Sequence, residues 1–269
     1  MVLKLGLGSL PPFLAAAIRF FTAFLLLYLY TIIQKLKYPH GVKYHLFYVG
    51  FGIVNFTGGY AFVYWGQQYI SSGLASVLFS VMPFFVLFLS IWLLPDESIT
   101  FKKFSGVLIG FGGVLMIFWD QLTFSAQNSL AILGMIAVLA GPLFAGVGTI
   151  TAKKYAKSLH PTVLVTFPIL YASISFFILS FIFERTRQPV FDFNAVFSIV
   201  YLALVGTAIA FVIYFWLLKN TSAVVMSMIT FITPPIALFW GWLLMGEHSS
   251  IFLIIGMILI FVGIYIVRK

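Results

Sequence analysis

The sequence predicts an all-α polytopic membrane protein: an inverted five-helix repeat bundle with nine spans present of an expected ten. Of its 269 residues, 62% are hydrophobic and 8% are charged, whereas globular proteins carry about 25% charged residues. A soluble fold of this length could not bury so much apolar surface. An internal repeat and an alternating placement of basic residues supply the rest of the prediction.

Nine segments have the length and apolar character of membrane-spanning helices, which need about 20 such residues each. Short hydrophilic gaps separate them. In chain order we predict these spans at 12–33, 45–66, 72–94, 104–119, 130–152, 162–183, 195–218, 223–245 and 251–267. The first residues do not show a basic region followed by an apolar run and a small-residue cleavage site, so no signal peptide is predicted.

The second half of the chain repeats the first. The segment SVLFSVMP at Ser76–Pro83 resembles SMITFITP at Ser227–Pro234, 151 positions later. Further matched pairs follow the same order: Leu10-Pro11-Pro12 with Leu159-His160-Pro161, Trp65 with Trp216, Glu97 with Glu247, Gly106 with Gly256, and Gly113 with Gly263. We therefore predict a first repeat at 1–120 and a second at 121–269.

The first repeat is predicted to be truncated. Residues 130–149 of the second repeat have no counterpart, because Met1 pairs with Ile150. About 20 residues, the body of one helix, are expected to be absent before Met1. A complete repeat would hold an odd number of helices, so the two copies would lie upside down relative to each other. Such inverted repeats allow alternating access to a site near the midplane.

Basic residues alternate between the two ends of the spans. One side would carry Lys35, Lys37, Lys43, Lys102, Lys103, Lys153, Lys154, Lys157, Lys219, Arg268 and Lys269. The opposite side would carry only Lys4, Arg185 and Arg187. Because basic loops stay in the cytoplasm, the C-terminus is predicted to be cytoplasmic.

These segments resemble the drug/metabolite transporter superfamily, specifically its EamA-type transporters. The resemblance rests on LKLGLGSLPPFLAAAIRFFTAF near the N-terminus, on the stretch from Ile70 to Ile117, and on Ser222 to Val267. It covers nearly the whole chain. It implies a plasma-membrane protein that exports small metabolites, amino acids among them. It also implies that the spans at 45–66, 72–94, 130–152, 195–218 and 223–245 surround a central cavity.

Polar and aromatic side chains at midspan depth are the candidate substrate contacts. Asn55 is the strongest single candidate, because an unbonded amide is costly inside a membrane. Small hydroxyl residues also serve as bonds between helices, and aromatic residues near helix ends as interfacial anchors, so a structural role stays open. The predicted substrate-binding residues are Asn55, Thr57, Tyr60, Tyr64, Ser80, Thr149, Tyr214, Thr230 and Thr233.

Arg19 is the ionisable residue that lies well inside a predicted span. It would contact an anionic group of the substrate or take part in gating, or else pair structurally with backbone carbonyls. Midspan prolines remove backbone hydrogen bonds, and Pro83, Pro142 and Pro234 are predicted hinges.

The matched acids Glu97 and Glu247 lie shortly before the starts of two predicted helices. They are candidates for gating or proton transfer, but capping of the spans at 104–119 and 251–267 is the favoured interpretation. The glycines of those two spans are expected to pack the spans on each other within one chain rather than form a dimer seam.

The sequence contains no cysteine and no metal-binding or catalytic motif. We therefore predict no enzyme activity, no metal and no cofactor. The predicted function is secondary-active or facilitative export of an amino-acid-like or aromatic metabolite; the alternative is an incomplete or partner-dependent protein without independent transport. The predicted partners are a small-molecule substrate and the lipid bilayer, with no nucleic acid, and the predicted assembly is a monomer or homodimer.

Overall fold

The structure, a computed structural model, describes residues 2, 6, 9–39, 41–95, 97, 99–119, 129–155, 158–233, 235–236 and 251–268. The regular elements among them are helices. These are α1 (Pro12–Ile33), α2 (Val42–Gly66), α3 (Ser72–Phe79 and Met82–Leu93), α4 (Phe101–Ile117), α5 (Ser129–Tyr155), α6 (Pro161–Phe183), α7 (Phe193–Asn220), α8 (Ala223–Thr233) and α9 (Ile251–Arg268).

Seven of the helices in the described part of the chain are long and apolar enough to cross a membrane. The exceptions are α4, with 17 residues, and α8, whose predicted continuation falls outside the described residues. Apart from the end of α8, the observed helices start and end within about three residues of the predicted spans, the usual scatter of helix boundaries. The chain is therefore an all-α polytopic membrane protein, as predicted.

The helices form two compact units, and each unit draws on both halves of the sequence. One unit comprises Met1–Tyr64 and Thr151–Asn220, and the other comprises Trp65–Ile150 and Thr221–Lys269. The first contains α1, α6, α7 and most of α2. The second contains α3, α4, α8, α9 and most of α5.

In the first unit, α1 packs antiparallel against its repeat counterpart α6. The Phe20 and Phe176 rings stack with centroids 5.5 Å apart, and the Ser173 hydroxyl donates to the Ala17 carbonyl at 2.9 Å. Small residues on α1 make this approach possible, since Ala16 and Ala23 are fully buried in the same stripe as Phe20.

The N-terminus of α1 is capped by a residue from the far end of α6. Pro11 gives α1 no side-chain cap of its own. The Glu184 carboxylate instead accepts the Phe13 and Leu14 backbone N–H groups at 2.8 and 3.0 Å. A negative charge there is favoured by the helix dipole.

In the second unit, α4 packs antiparallel against its repeat counterpart α9 through glycine. A Cβ added to Gly113 would lie 2.5 Å from the Gly256 carbonyl oxygen, and one added to Gly256 would lie 2.6 Å from that of Gly113. Gly106 and Gly263 form a second reciprocal pair. The predicted packing of these two helices within one chain is confirmed. The antiparallel course of both counterpart pairs agrees with the predicted inversion.

Two of the predicted proline hinges behave differently. Before Pro83, α3 is interrupted at Ser80 and Val81, as expected where a proline removes a backbone donor. At Pro142, α5 continues as one helix. Pro234 lies outside the described residues. Whether any of these positions flexes stays a prediction.

Candidate functional site

Two helices of the first unit change their winding at the same point of the repeat. Gly52–Gly58 in α2 and Leu204–Ile209 in α7 are π-helical; we call them the α2 π segment and the α7 π segment. The offset of 151 that joins Trp65 to Trp216 also superimposes these two segments. π-helical turns disturb the regular hydrogen bonds and occur often at functional sites.

Arg19 of α1 binds the α7 π segment. Its Nε donates to the Thr207 hydroxyl at 2.8 Å, and its Nη2 donates to the Gly206 carbonyl at 3.1 Å. Its Nη1 donates to the Tyr64 hydroxyl at 3.1 Å. The Thr207 hydroxyl in turn donates to the Leu202 carbonyl at 2.9 Å, five residues earlier in the chain. One guanidinium therefore joins α1, α2 and α7.

Aromatic rings enclose the same guanidinium. Its central carbon lies 5.4 Å from the Tyr60 ring centroid and 5.5 Å from that of Phe20, within the range of cation–π attraction. The Phe20 and Tyr60 rings meet edge to face at 5.4 Å. Arg19 itself is only 5% exposed, so its charge is held away from solvent.

The partners of Arg19 are neutral. It forms no ion pair with any residue that the structure describes; its hydrogen-bond partners there are hydroxyl and carbonyl groups. An arginine near a bilayer centre costs about 2.5–3.5 kcal/mol on insertion scales, and neutral hydrogen bonds offset part of that cost. A positive charge with neutral partners alone can attract an anionic group.

The α2 π segment also carries buried polar side chains. One of them is Asn55. Another is Thr57, whose buried hydroxyl has no hydrogen-bond partner within the described part of the chain. Buried polar groups normally find a partner, so this segment can offer hydrogen bonds to a ligand.

Candidate residues of the second unit bond mainly to their own helices. The Ser80 hydroxyl donates to the Ser76 carbonyl at 2.7 Å and lies 3.3 Å from the Thr230 carbonyl oxygen. The Thr230 and Thr233 hydroxyls donate to carbonyls three residues earlier. These contacts fit the structural interpretation of the hydroxyl residues, and substrate contact there stays a prediction.

Two further predicted substrate contacts are Thr149 and Tyr214. Thr149 is buried near the end of the part of α5 that belongs to the second unit. Tyr214 is half-buried in α7, with its ring against Phe215.

Glu97 caps the start of α8 rather than the predicted start of α4. The first turn of α4 is capped by the Thr100 hydroxyl, which accepts the Lys103 N–H. Glu97 accepts the Ala223 backbone N–H at 3.0 and 3.1 Å, at the start of α8. The acid thus caps a helix that is distant in sequence, because the fold places the start of α8 beside Glu97. Glu247 lies outside the described residues.

Sequence reasoning missed the α2 and α7 π segments as structures and the contact of Arg19 with Gly206. No shared residue marks the two π segments, because at the offset of 151 Gly206 aligns with Asn55 and Gly52 with Ala203. Among the described residues, no group of three or more His, Cys, Asp or Glu side chains is placed to hold a metal ion.

The long apolar helices define a multi-pass membrane protein. Comparison with known proteins makes the class specific. The chain belongs to the EamA-like transporter family, whose model matches residues 1–119 and 132–269.

Several relatives of similar length are named as transporters. "Uncharacterized transporter YoaV" of Bacillus subtilis (strain 168) is 29% identical over 98% of this chain and 90% of its own length. An "Uncharacterized transporter" of Archaeoglobus fulgidus is 30% identical over 99% of this chain and 92% of its own length. The "Probable amino-acid metabolite efflux pump" of Escherichia coli (strain K12) is 26% identical, over 99% and 88%.

One solved crystal structure superimposes with a TM-score of 0.82 and covers 97% of this chain and 89% of the other. At 18% identity, this likeness concerns the fold alone.

Proposed function

We propose that this transporter exports a small amino-acid-like or aromatic metabolite by alternating access, as a secondary-active or facilitative carrier. The observation that carries the proposal is the buried Arg19, whose positive charge is met only by neutral described partners. A carboxylate is the complementary group for such a charge. The E. coli relative named as an amino-acid metabolite efflux pump supports the same substrate class.

The α2 π segment supplies the remaining recognition in this proposal. Asn55 has both a donor and an acceptor in its amide, which suits an amino or carboxylate group of an amino acid. Tyr60 and Tyr64 add aromatic surface for an apolar side chain. Substrate contacts of Ser80, Thr149, Tyr214, Thr230 and Thr233 belong to the same proposal.

Reconstituted protein tests this function directly. Proteoliposomes preloaded with unlabelled amino acids are expected to take up labelled aromatic amino acid by exchange. Asn55→Leu should lower the rate by about tenfold or more, because a polar group of the substrate would then lack its hydrogen-bond partner in the site. The matched control is Asn194→Leu, at an exposed asparagine at the start of α7. Equal rates for wild type and Asn55→Leu would contradict the proposal.

We also propose a plasma-membrane location, which the family resemblance implies, and a cytoplasmic C-terminus, which the basic loops support. The lack of cysteine makes labelling clean. In intact cells, a membrane-impermeant maleimide should label Gln188→Cys, beyond α6, and should not label Ser158→Cys, between α5 and α6. The reverse pattern would overturn the orientation.

A further inference from the structure

A pocket of about 400 Å³ lies in the first unit, where α1 ends and α2 begins. It is distinct from the Arg19 site, because none of the residues that hold the guanidinium line it. Its chemically distinctive lining residues are Lys35, Tyr38, His45, Tyr48 and Phe167. The proposed transport function makes no use of them.

Aromatic rings form one wall of this pocket around Phe167 of α6. The centroid of Phe167 lies 4.8 Å from that of Tyr38 and 6.3 Å from that of His45, both edge to face. The Tyr48 ring stacks on it at 5.8 Å. Such a wall offers a planar, apolar surface to a ligand.

Lys35 stands at the rim in an unusual backbone conformation. It has φ of 51°, and the Leu36 N–H donates to the Thr31 carbonyl at 3.0 Å across it. This is the helix-ending position at which glycine is strongly favoured. A lysine there is disfavoured by its Cβ, so a role for its ammonium group would explain its presence.

Two polar groups of the pocket are unused by the described part of the chain. Lys35 is exposed and its side chain makes no ion pair or hydrogen bond with a described residue. The Tyr48 hydroxyl is buried without a hydrogen-bond partner among those residues, and the whole residue is only 1% exposed. A buried hydroxyl without a partner is rare in folded proteins.

We propose that this pocket binds an amphipathic organic anion, with its carboxylate or phosphate beside Lys35 and its apolar part against the Phe167 wall. A cation would suit the aromatic rings but would be repelled by Lys35. The anion has two sources: a soluble carboxylic acid, or an anionic phospholipid reaching the pocket past the lipid-exposed Ile32, which also lines it.

Binding to the purified full chain in phosphatidylcholine nanodiscs tests the proposal, and it needs no transport activity. One arm titrates 4-fluorophenylacetate and follows its ¹⁹F NMR signal. The other replaces part of the lipid with phosphatidylglycerol and measures retained lipid by native mass spectrometry. A failure of transport and a failure of this site are therefore separable.

Lys35→Gln should weaken binding of at least one probe by about tenfold, as expected for loss of a charge-assisted contact. Lys37→Gln removes the same charge two residues away, from a side chain that does not line the pocket, and should therefore leave binding within about twofold. Lys35→Gly removes the charge while relaxing the backbone, so it should lose binding without losing thermal stability.

The responding probe identifies the source of the anion. Saturable binding of the fluorinated acid indicates a soluble ligand, and selective retention of phosphatidylglycerol indicates a lipid. The proposal is overturned if neither probe binds the wild-type protein saturably. It is also overturned if Lys35→Gln and Lys37→Gln weaken binding equally.

Discussion

The α2 and α7 π segments occupy equivalent positions of the repeat but differ in how their polar groups are satisfied. In the α7 π segment, Arg19 donates to the Thr207 hydroxyl and the Gly206 carbonyl. In the α2 π segment, the buried Thr57 hydroxyl lacks a partner in the described part of the chain, and Asn55 is buried two residues before it. One segment is held by the fold, and the other has hydrogen bonds to offer.

The difference originates at one pair of positions. Arg19 and Pro168 are 149 residues apart, the same offset that joins Pro12 to Pro161. Arg19 of α1 reaches the α7 π segment through its side chain. At Gly52, where α6 meets the α2 π segment, an added Cβ would collide with the Pro168 carbonyl. The two copies thus make corresponding contacts between helices, through the Arg19 guanidinium in one and through backbone packing at Pro168 in the other.

Replacing Arg19 should have the largest effect, because Arg19 is the side chain that distinguishes the α7 π segment from the α2 π segment. Arg19→Leu removes the donors that bind the Thr207 hydroxyl, the Tyr64 hydroxyl and the Gly206 carbonyl, so we expect a loss of about 2–4 kcal/mol in unfolding free energy. Exchange transport should fall to background. Denaturation of the purified protein in detergent and the proteoliposome assay measure the two effects.

The control lies at the equivalent position of the second repeat. Pro168→Ala restores a helix-compatible residue in α6 and removes no polar contact, so stability should be kept. Arg19→Lys keeps the charge but loses the planar fork of donors, and should lie between the two. Equal stability of Arg19→Leu and wild type would show that the guanidinium does not hold the α7 π segment.

The two glycines sharpen the packing side of the comparison. Gly52→Ala should cost about 1–3 kcal/mol, as overpacking against an immobile backbone does. Gly206→Ala should be close to neutral. The nearest atom to its added Cβ is the Leu202 Cδ2 at 3.3 Å, at the end of a flexible side chain, and the Arg19 Nη2 at 3.5 Å is at an ordinary van der Waals distance. Thermal melting of the two variants checks this order, and a reversed order would contradict it.

The two threonines test the hydrogen-bonding side with the same chemical change. Thr207→Val removes the acceptor of the Arg19 Nε and should cost about 1–2 kcal/mol. Thr57→Val removes a buried hydroxyl without a described partner, so the folded state should be unchanged or slightly stabilised. Chemical denaturation measures both, and an equal loss would mean that Thr57 has a structural partner.

Much of this fold follows from the sequence, because the length of each apolar stretch identifies a membrane-spanning helix independently of the others. The glycine pairs of α4 and α9 were also predictable, since the repeat aligns Gly106 and Gly113 with Gly256 and Gly263. The α2 and α7 π segments were not, because one extra residue per turn leaves no mark on a uniformly apolar stretch. The cap of α8 by Glu97 depends on which helix ends meet, which a single sequence does not encode locally.

The smallest effect is expected where the two helices that carry the π segments begin. The α2 helix starts after Gly41 without a side-chain cap, whereas Asp192 caps α7 by accepting the Ala195 N–H at 2.7 Å. A hydrogen bond from the Ser9 hydroxyl and that backbone N–H lower the pKa of Asp192 below its usual 3.8. The group is fully exposed, so its contribution is weak.

The sign of the pH dependence follows from that lowered pKa. The ionised cap favours the folded state above pH 3.8, and this contribution is lost as the pH falls through the lower pKa of the folded protein. Asp192→Asn can still accept the N–H but has no charge to lose, so its melting temperature should fall less than that of the wild type between pH 7 and pH 3. Parallel curves for the two proteins would show that α7, like α2, begins without help from a charge. In that case the asymmetry between the two helices would rest on Arg19 alone.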